Sequence, residues 1–321
     1  MIYLLAFLLG LVQGVAEFLP ISSSGHLALA EELLANAFGE SNKTLQGSEF
    51  SIAVHVGTLG SILIVYWRRL LAAATNVRLI ALVVLATLPV VLTGLLLKDQ
   101  FESLMTQPRA VGVALIVTAA LLACISPLER WHAGRRAAVL PDPLDAPAAE
   151  AIAAPIDEAA YEASDEAADE AADEAADEAA DGAVSGSDDS LPTGRTMETM
   201  TWRDALVVGL VQSIAPVPGI SRSGSTIFAG VLSGMDRRAA ADFSFFIAVP
   251  AIAGAAVLKI KDVVEAGTSQ VAPDVLCWGA VVALVTGLAA LKVLLAIVAR
   301  GRLMWFSIYC AVVGLAAIVL A

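Results

Sequence analysis

The chain has 321 residues, of which 58% are hydrophobic and 16% charged. A soluble domain averages about 45–50% apolar, so this composition excludes an ordinary water-soluble enzyme and makes an integral membrane protein the expected class. The net charge of −13 is local, because residues 141–200 hold 18 Asp or Glu against one basic residue, Arg195, and the remainder sums to +4; with no concentrated basic patch, nucleic acid is not an expected partner.

The first region, residues 1–36, opens as an apolar helix and then breaks at Pro20. No Lys or Arg precedes Lys43, so the basic start of a secretory signal is missing and the first helix is expected to be retained. The stretch GLVQGVAEFLPISSSGH, residues 10–26, carries Gln13, Glu17, Ser22, Ser23, Ser24 and His26 in otherwise apolar surroundings. Each side of the break is too short to cross a bilayer, which predicts a re-entrant hairpin.

Spans of about 17–25 apolar residues are expected next, near 50–67, 77–97 and 110–127. His55 falls within the first of these and its role is ambiguous; His132 lies beside arginines and reads as a surface residue. From about 137 to 200 runs an acidic, Ala-rich segment containing DEAADEAADEAADEAAD. It lacks large apolar residues and stacks like charges, so a disordered cytoplasmic linker is predicted. A second broken region occupies 203–235, interrupted by Pro216, Pro218 and Gly219. Three more spans are expected near 240–258, 274–298 and 303–321. Cys124, Cys277 and Cys310 sit singly in apolar runs, which favours neither disulfides nor a metal site.

The expected division is therefore a first membrane repeat over 1–136, the linker over 137–200 and a second repeat over 201–321. Basic residues flanking the spans, Arg68, Arg69, Arg78, Arg130, Arg135, Arg136, Arg237, Arg238, Arg300 and Arg302, place those ends in the cytoplasm and both termini outside. Lys259 and Lys261 run against the scheme.

The two broken regions are related. A shift of 199 residues aligns GLVQGVAEFLPISSSGH with GLVQSIAPVPGISRSGS, with nine of 17 positions identical, and a span beginning Phe-Ser comes after each copy, at Phe50-Ser51 and Phe243-Ser244. Three spans per copy invert the second relative to the first. The expected fold is an all-α membrane protein of inverted-topology repeats, each a re-entrant hairpin plus three transmembrane helices, with its site where the broken helices meet.

Where the copies differ, the residues complement each other: Glu17 against Pro216, Ser23 against Arg222, His26 against Ser225. Serine turns opening a helix supply N–H groups and hydroxyls to an anion. Arg222 adds a bidentate fork suited to phosphate, and Glu17 and His26 add acid–base capacity. Together they read as a phosphoryl-transfer site. Taken singly, each has a structural alternative: Ser22 and Ser24 as N-caps, His26 as a satisfied core histidine, Gln13 as an interhelical hydrogen-bonder, Glu17 with Arg222 as a buried ion pair. A transporter or lipid flippase built on the inverted repeat, and a non-catalytic scaffold, are the competing classes.

QGVAEFLPISSSGH, with PGISRSGST at 218–226, resembles the undecaprenyl-diphosphate phosphatase family, also called bacitracin-resistance proteins; FSIAVHVGTLGSILIVYWRR and FSFFIAVP are similar to family segments too. The resemblance implies a membrane phosphatase that removes the terminal phosphate of a polyprenyl diphosphate lipid and returns the monophosphate carrier to envelope or glycan synthesis. It further implies a plasma-membrane location, an outward-facing cavity and a divalent metal, Mg²⁺ or Ca²⁺. Carried over residue by residue, Ser23 is the nucleophile candidate, His26 activates it or protonates the leaving group, Glu17 is a base or metal ligand, and Arg222 clamps the diphosphate. Ser22, Ser24, Ser221, Ser223 and Thr226 line the phosphate pocket. Direct attack by water, with Ser23 only binding phosphate, stays open, as does a homo-oligomeric state. Two positions depart from the family: Gln13 stands where many members have Glu, which weakens a two-carboxylate metal site built with Glu17, and Cys310 stands where some have Arg.

Overall fold

The computed structural model describes residues 1–38, 45, 48–137, 194–266 and 271–320. The acidic repeat expected as a disordered linker lies outside the described residues. Residues 1–132 with 192–321 form the first compact unit. The first unit carries the apolar helices and both breaks.

Its elements are helical: α1 (Ile2–Phe18), α2 (Ser23–Phe38), α3 (Ser48–Ala74), α4 (Val77–Leu96), α5 (Lys98–Met105), α6 (Pro108–Ala137), α7 (Trp202–Gln212), α8 (Arg222–Leu232), α9 (Arg237–Ala266), α10 (Pro273–Ala299) and α11 (Met304–Leu320). Five of them, α3, α4, α6, α9 and α10, are long and apolar enough to cross a membrane. The sixth expected span corresponds to α11, which is apolar but has 17 residues. Residues such as Val84, Leu88, Val285, Val312 and Leu315 point outward, as a lipid-facing surface requires.

The two breaks arise from local chemistry. Leu19 precedes Pro20, and a residue before proline is driven out of the α region; Leu19 is extended, with φ −61 and ψ 141. The chain then turns through Ser22, the one non-glycine residue with positive φ (73) among those described. A serine held in this left-handed region stores roughly 1–3 kcal/mol of strain, the kind of outlier that clusters at functional sites. In the second copy the turn is made by Gly219, φ 99, where a Cβ would lie 2.7 Å from the Ala114 Cβ.

Packing between the halves is reciprocal. α1 lies on α10 as α7 lies on α4, and α10 packs on α3 as α4 packs on α9. Glycines at matched positions permit both crossings: a Cβ on Gly10 would stand 2.8 Å from the Gly279 carbonyl oxygen, and one on Gly209 would stand 2.7 Å from that of Ala86. Small residues of this kind let membrane helices approach backbone to backbone. The breaks themselves cross in the same reciprocal way, Gly25 against Gly219 and Gly224 against Pro20.

Arg195, which composition assigns to the acidic segment, is built into the membrane half. Its N–H donates to the Gly234 carbonyl at 3.1 Å and its carbonyl accepts from Asp236 N–H at 2.9 Å. Its guanidinium grips Asp204, Nη2 to Oδ1 at 2.6 Å, and Asp204 in turn closes the capping box of α7 with Thr201. Arg195 is therefore bonded to residues of the second half, although the sequence boundary is drawn at 201. An isolated arginine in an acidic run gives no sign of where its partner lies.

Candidate active site

Gln13 and Glu17 are four residues apart on α1, so they share one helix face. Both are buried. Gln13 Nε2 donates to Glu17 Oε2 at 3.1 Å. Ser23 opens α2 immediately after the break, and its Oγ donates to the same Glu17 oxygen at 2.6 Å. The other carboxylate oxygen, Oε1, accepts from Arg222 Nη2 of the second copy at 3.1 Å. Arg222 Nη1 also donates to the Ser244 carbonyl, at 3.2 Å. One buried carboxylate thus joins a hydroxyl from the first repeat to a guanidinium from the second.

The serines around this centre are used as caps. Ser22 Oγ accepts from Gly25 N–H at 3.3 Å, and its counterpart Ser221 accepts from Gly224 N–H at 3.1 Å. The pairing of hydroxyls is duplicated as well: Ser22 Oγ lies 3.4 Å from Ser24 Oγ and Ser221 Oγ 3.2 Å from Ser223 Oγ. Thr226 Oγ1 shares a hydrogen bond with Ser244 Oγ at 2.6 Å. Two helix N-termini, each with unsatisfied first-turn N–H groups, therefore converge beside Glu17, Ser23 and Arg222, which is a favourable setting for phosphate.

His26 does not face Ser23 in this arrangement. Its Nδ1 lies 2.9 Å from the Ser22 carbonyl and its Nε2 lies 2.9 Å from the Tyr309 hydroxyl. The proton of Ser23 has Glu17 as its nearest acceptor. A second imidazole stands close by: His55 on α3 places Nε2 3.9 Å from Glu17 Oε2, with Nδ1 at 2.7 Å from the Ser51 carbonyl.

The family resemblance implies metal binding at Glu17 and Gln13. Among the described residues no group of three or more His, Cys, Asp or Glu is arranged to hold an ion, and both oxygens of Glu17 are engaged. One feature does fit a cation: Gln13 Oε1 is buried without a hydrogen-bond partner. With both Glu17 oxygens bonded, a cation at Gln13 Oε1 would take its remaining ligands from phosphate oxygens and water, as Mg²⁺ commonly does.

A family model described as "Bacitracin resistance protein BacA" matches residues 6–145 and 177–316. The chain belongs to the bacitracin resistance protein BacA family. Relatives of the same kind, each named undecaprenyl-diphosphatase, include one from Rhodopirellula baltica, 37% identical over 98% of this chain and 96% of its own. Another, from Carboxydothermus hydrogenoformans, is 32% identical with the same coverage. One from Korarchaeum cryptofilum is 31% identical over 97% of this chain and 96% of its own. The BacA match spans both membrane halves and leaves unmatched residues 146–176, within the acidic stretch, and a few residues at each end.

Within this BacA chain, sequence reasoning brought Gln13, Glu17, Ser22, Ser23, Ser24, Arg222, Ser221, Ser223 and Thr226 to one region. It gave no role to Ser244, Tyr309 or His55. A signal for two of these was present in the repeated Phe-Ser pair: the Ser51 carbonyl holds His55 and the Ser244 carbonyl holds Arg222. Tyr309 carried no such signal, since it comes from α11, remote in sequence and set in an apolar run. Cys310 beside it is buried, and its Sγ lies 3.7 Å from the Pro20 carbonyl, so at this position the chain packs against the first break.

Proposed function

We infer that the protein is an integral membrane phosphatase that hydrolyses undecaprenyl diphosphate to the monophosphate and inorganic phosphate. The observation that carries this reading is the Ser23–Glu17–Arg222 contact. A hydroxyl is a weak nucleophile unless a base adjoins it, and Glu17 Oε2 is 2.6 Å from Ser23 Oγ. The names of relatives that match nearly the whole chain agree with that chemistry.

The steps balance simply. Ser23 Oγ attacks the terminal phosphorus as its proton passes to Glu17. The bridging P–O bond breaks, and undecaprenyl phosphate leaves with the bond's electron pair. Water then attacks the phosphoserine, the P–Oγ bond breaks, Ser23 Oγ takes back the proton held by Glu17, and phosphate departs with the hydrogens of the water. Direct attack by water, with Glu17 as base and Ser23 as phosphate ligand, uses the same groups. Arg222 turns its fork to the terminal phosphate, where its charge is of most use as oxygens gain negative character. The helix N-termini of α2 and α8 hold the remaining phosphate oxygens through N–H groups and the Ser22, Ser24, Ser221, Ser223 and Thr226 region. His26 exchanges the proton needed by the leaving oxygen. Glu17 and Gln13 Oε1 would be the protein groups to hold a divalent cation, Mg²⁺ or Ca²⁺, which would neutralise charge on the diphosphate.

The site opens to the outer side of the plasma membrane. In support, His55 and Glu17 sit toward the Ser48 end of α3, away from Trp67-Arg68-Arg69, whose basic character favours the cytoplasm. The reciprocal packing of the halves supports an inverted repeat. A flippase would use the same symmetry, but the two breaks hold different, complementary residues rather than like ones.

The test is phosphate release from undecaprenyl diphosphate in detergent, for wild type and for Ser23→Ala, Arg222→Ala and His26→Ala. Each variant is expected to lose nearly all turnover. Wild-type rates in all three, or lipid movement in proteoliposomes without phosphate release, overturn the reading.

A further inference from the structure

The imidazole of His26 is held at both nitrogens. A backbone carbonyl only accepts, so the contact to the Ser22 carbonyl at 2.9 Å puts a proton on Nδ1. In the neutral ring Nε2 is then an acceptor, and the Tyr309 hydroxyl, 2.9 Å away, is its donor. The two rings are nearly parallel, 12° apart in plane with centroids 5.5 Å apart, so the Ser22 carbonyl sets the tautomer and the phenol sets the plane of the imidazole.

Tyr309 is itself fixed by its neighbours on α11. Ser307 Oγ donates to the Ala119 carbonyl at 2.7 Å. Cys310 is fully buried against the Pro20 break. Gly314 meets Gly112 backbone to backbone: a Cβ on either would stand within 2.7 Å of the other's carbonyl oxygen. Residues on both sides of Tyr309 are therefore locked to α6 or to the first break, while the Tyr309 side itself is 43% exposed. A large aromatic placed so firmly, with its hydroxyl on the one nitrogen of His26 that can exchange a proton, has a use beyond filling space.

We propose that Tyr309 is a positioning residue for the phosphatase reaction: its hydroxyl, bonded to His26 Nε2, and its stacked ring hold the imidazole in one orientation, turned away from Ser23. The inference rests on the reading of His26 as the proton-exchanging group. It divides the labour of the site: Glu17 serves the nucleophile, and the His26–Tyr309 pair serves the leaving group.

A double-mutant cycle with phosphate release from undecaprenyl diphosphate tests it, using wild type, Tyr309→Phe, His26→Ala and the double variant, with the thermal unfolding midpoint of each in detergent. Tyr309→Phe keeps the ring and removes the hydroxyl. It is expected to lower kcat roughly ten-fold or more, as small misplacements of catalytic groups do, with KM within about two-fold. Residues that act through one another are non-additive, so the double variant should match His26→Ala. The proposal is overturned by a Tyr309→Phe enzyme with wild-type kcat, by a double variant whose loss is the product of the two single losses, or by a kcat loss that disappears when corrected for folded protein. Full activity in His26→Ala overturns it together with the reading of His26, and so is distinguishable from the other failures.

Discussion

Replacing Glu17 by Gln and Arg222 by Gln, singly and together, separates a catalytic pair from a merely structural one. Their charged atoms are 3.1 Å apart, with side-chain exposures of 7% and 14%. At an effective dielectric of about 20, two unit charges at that distance attract by roughly 5 kcal/mol, and desolvation offsets part of it. Removing one partner of such a pair costs about 3–5 kcal/mol. The lower end applies here, because Glu17 keeps the Ser23 and Gln13 donors and Arg222 keeps the Ser244 carbonyl. Each single variant should therefore unfold at a clearly lower temperature in detergent. The double variant leaves no lone buried charge, so its midpoint should return most of the way to wild type. Activity should not recover with it. Loss of a general base alone costs about 10²–10⁴ in rate, and Arg222→Gln also removes the phosphate clamp. Phosphate release from undecaprenyl diphosphate, measured per folded molecule, should stay at least about 100-fold down in the double variant. A double variant that recovers both stability and turnover would refute the catalytic role and leave a structural ion pair.

Other perturbations probe the framework. Gly25→Ala puts a Cβ 2.9 Å from the Gly219 Cα, a backbone atom that cannot swing aside; turnover should fall at near-normal expression, and an unaffected enzyme would argue against a rigid crossing of the breaks. Gln13→Glu supplies a second carboxylate beside Glu17 and removes the neutral oxygen Gln13 Oε1. The expected outcome is that more chelator is needed to abolish phosphate release than in wild type, because a carboxylate holds a divalent cation more tightly than an amide oxygen; equal chelator sensitivity would speak against a cation at this position.

The sequence by itself determined the membrane class, the positions of both breaks and the repeat that relates them. These are local properties: apolar length, the backbone restriction imposed by a proline, and residue identity at a fixed offset. It also singled out Glu17, Ser23 and Arg222, because polar groups in apolar segments are costly enough to need a reason. Only the tertiary structure decided which of them touch. Glu17 and Arg222 are 205 positions apart, and their contact depends on two glycine-lined crossings that bring the breaks together. The same is true of Tyr309, 283 positions from His26, whose hydroxyl turns that imidazole away from Ser23. Spacing along α2 alone left His26 open to activating Ser23 or protonating the leaving group; a hydrogen bond from a distant helix turns it from Ser23, because an imidazole goes where its two nitrogens are best satisfied. Ser22, a cap by sequence, proved to hold the left-handed turn that aims Ser23 at Glu17, a conformation that residue identity alone does not announce.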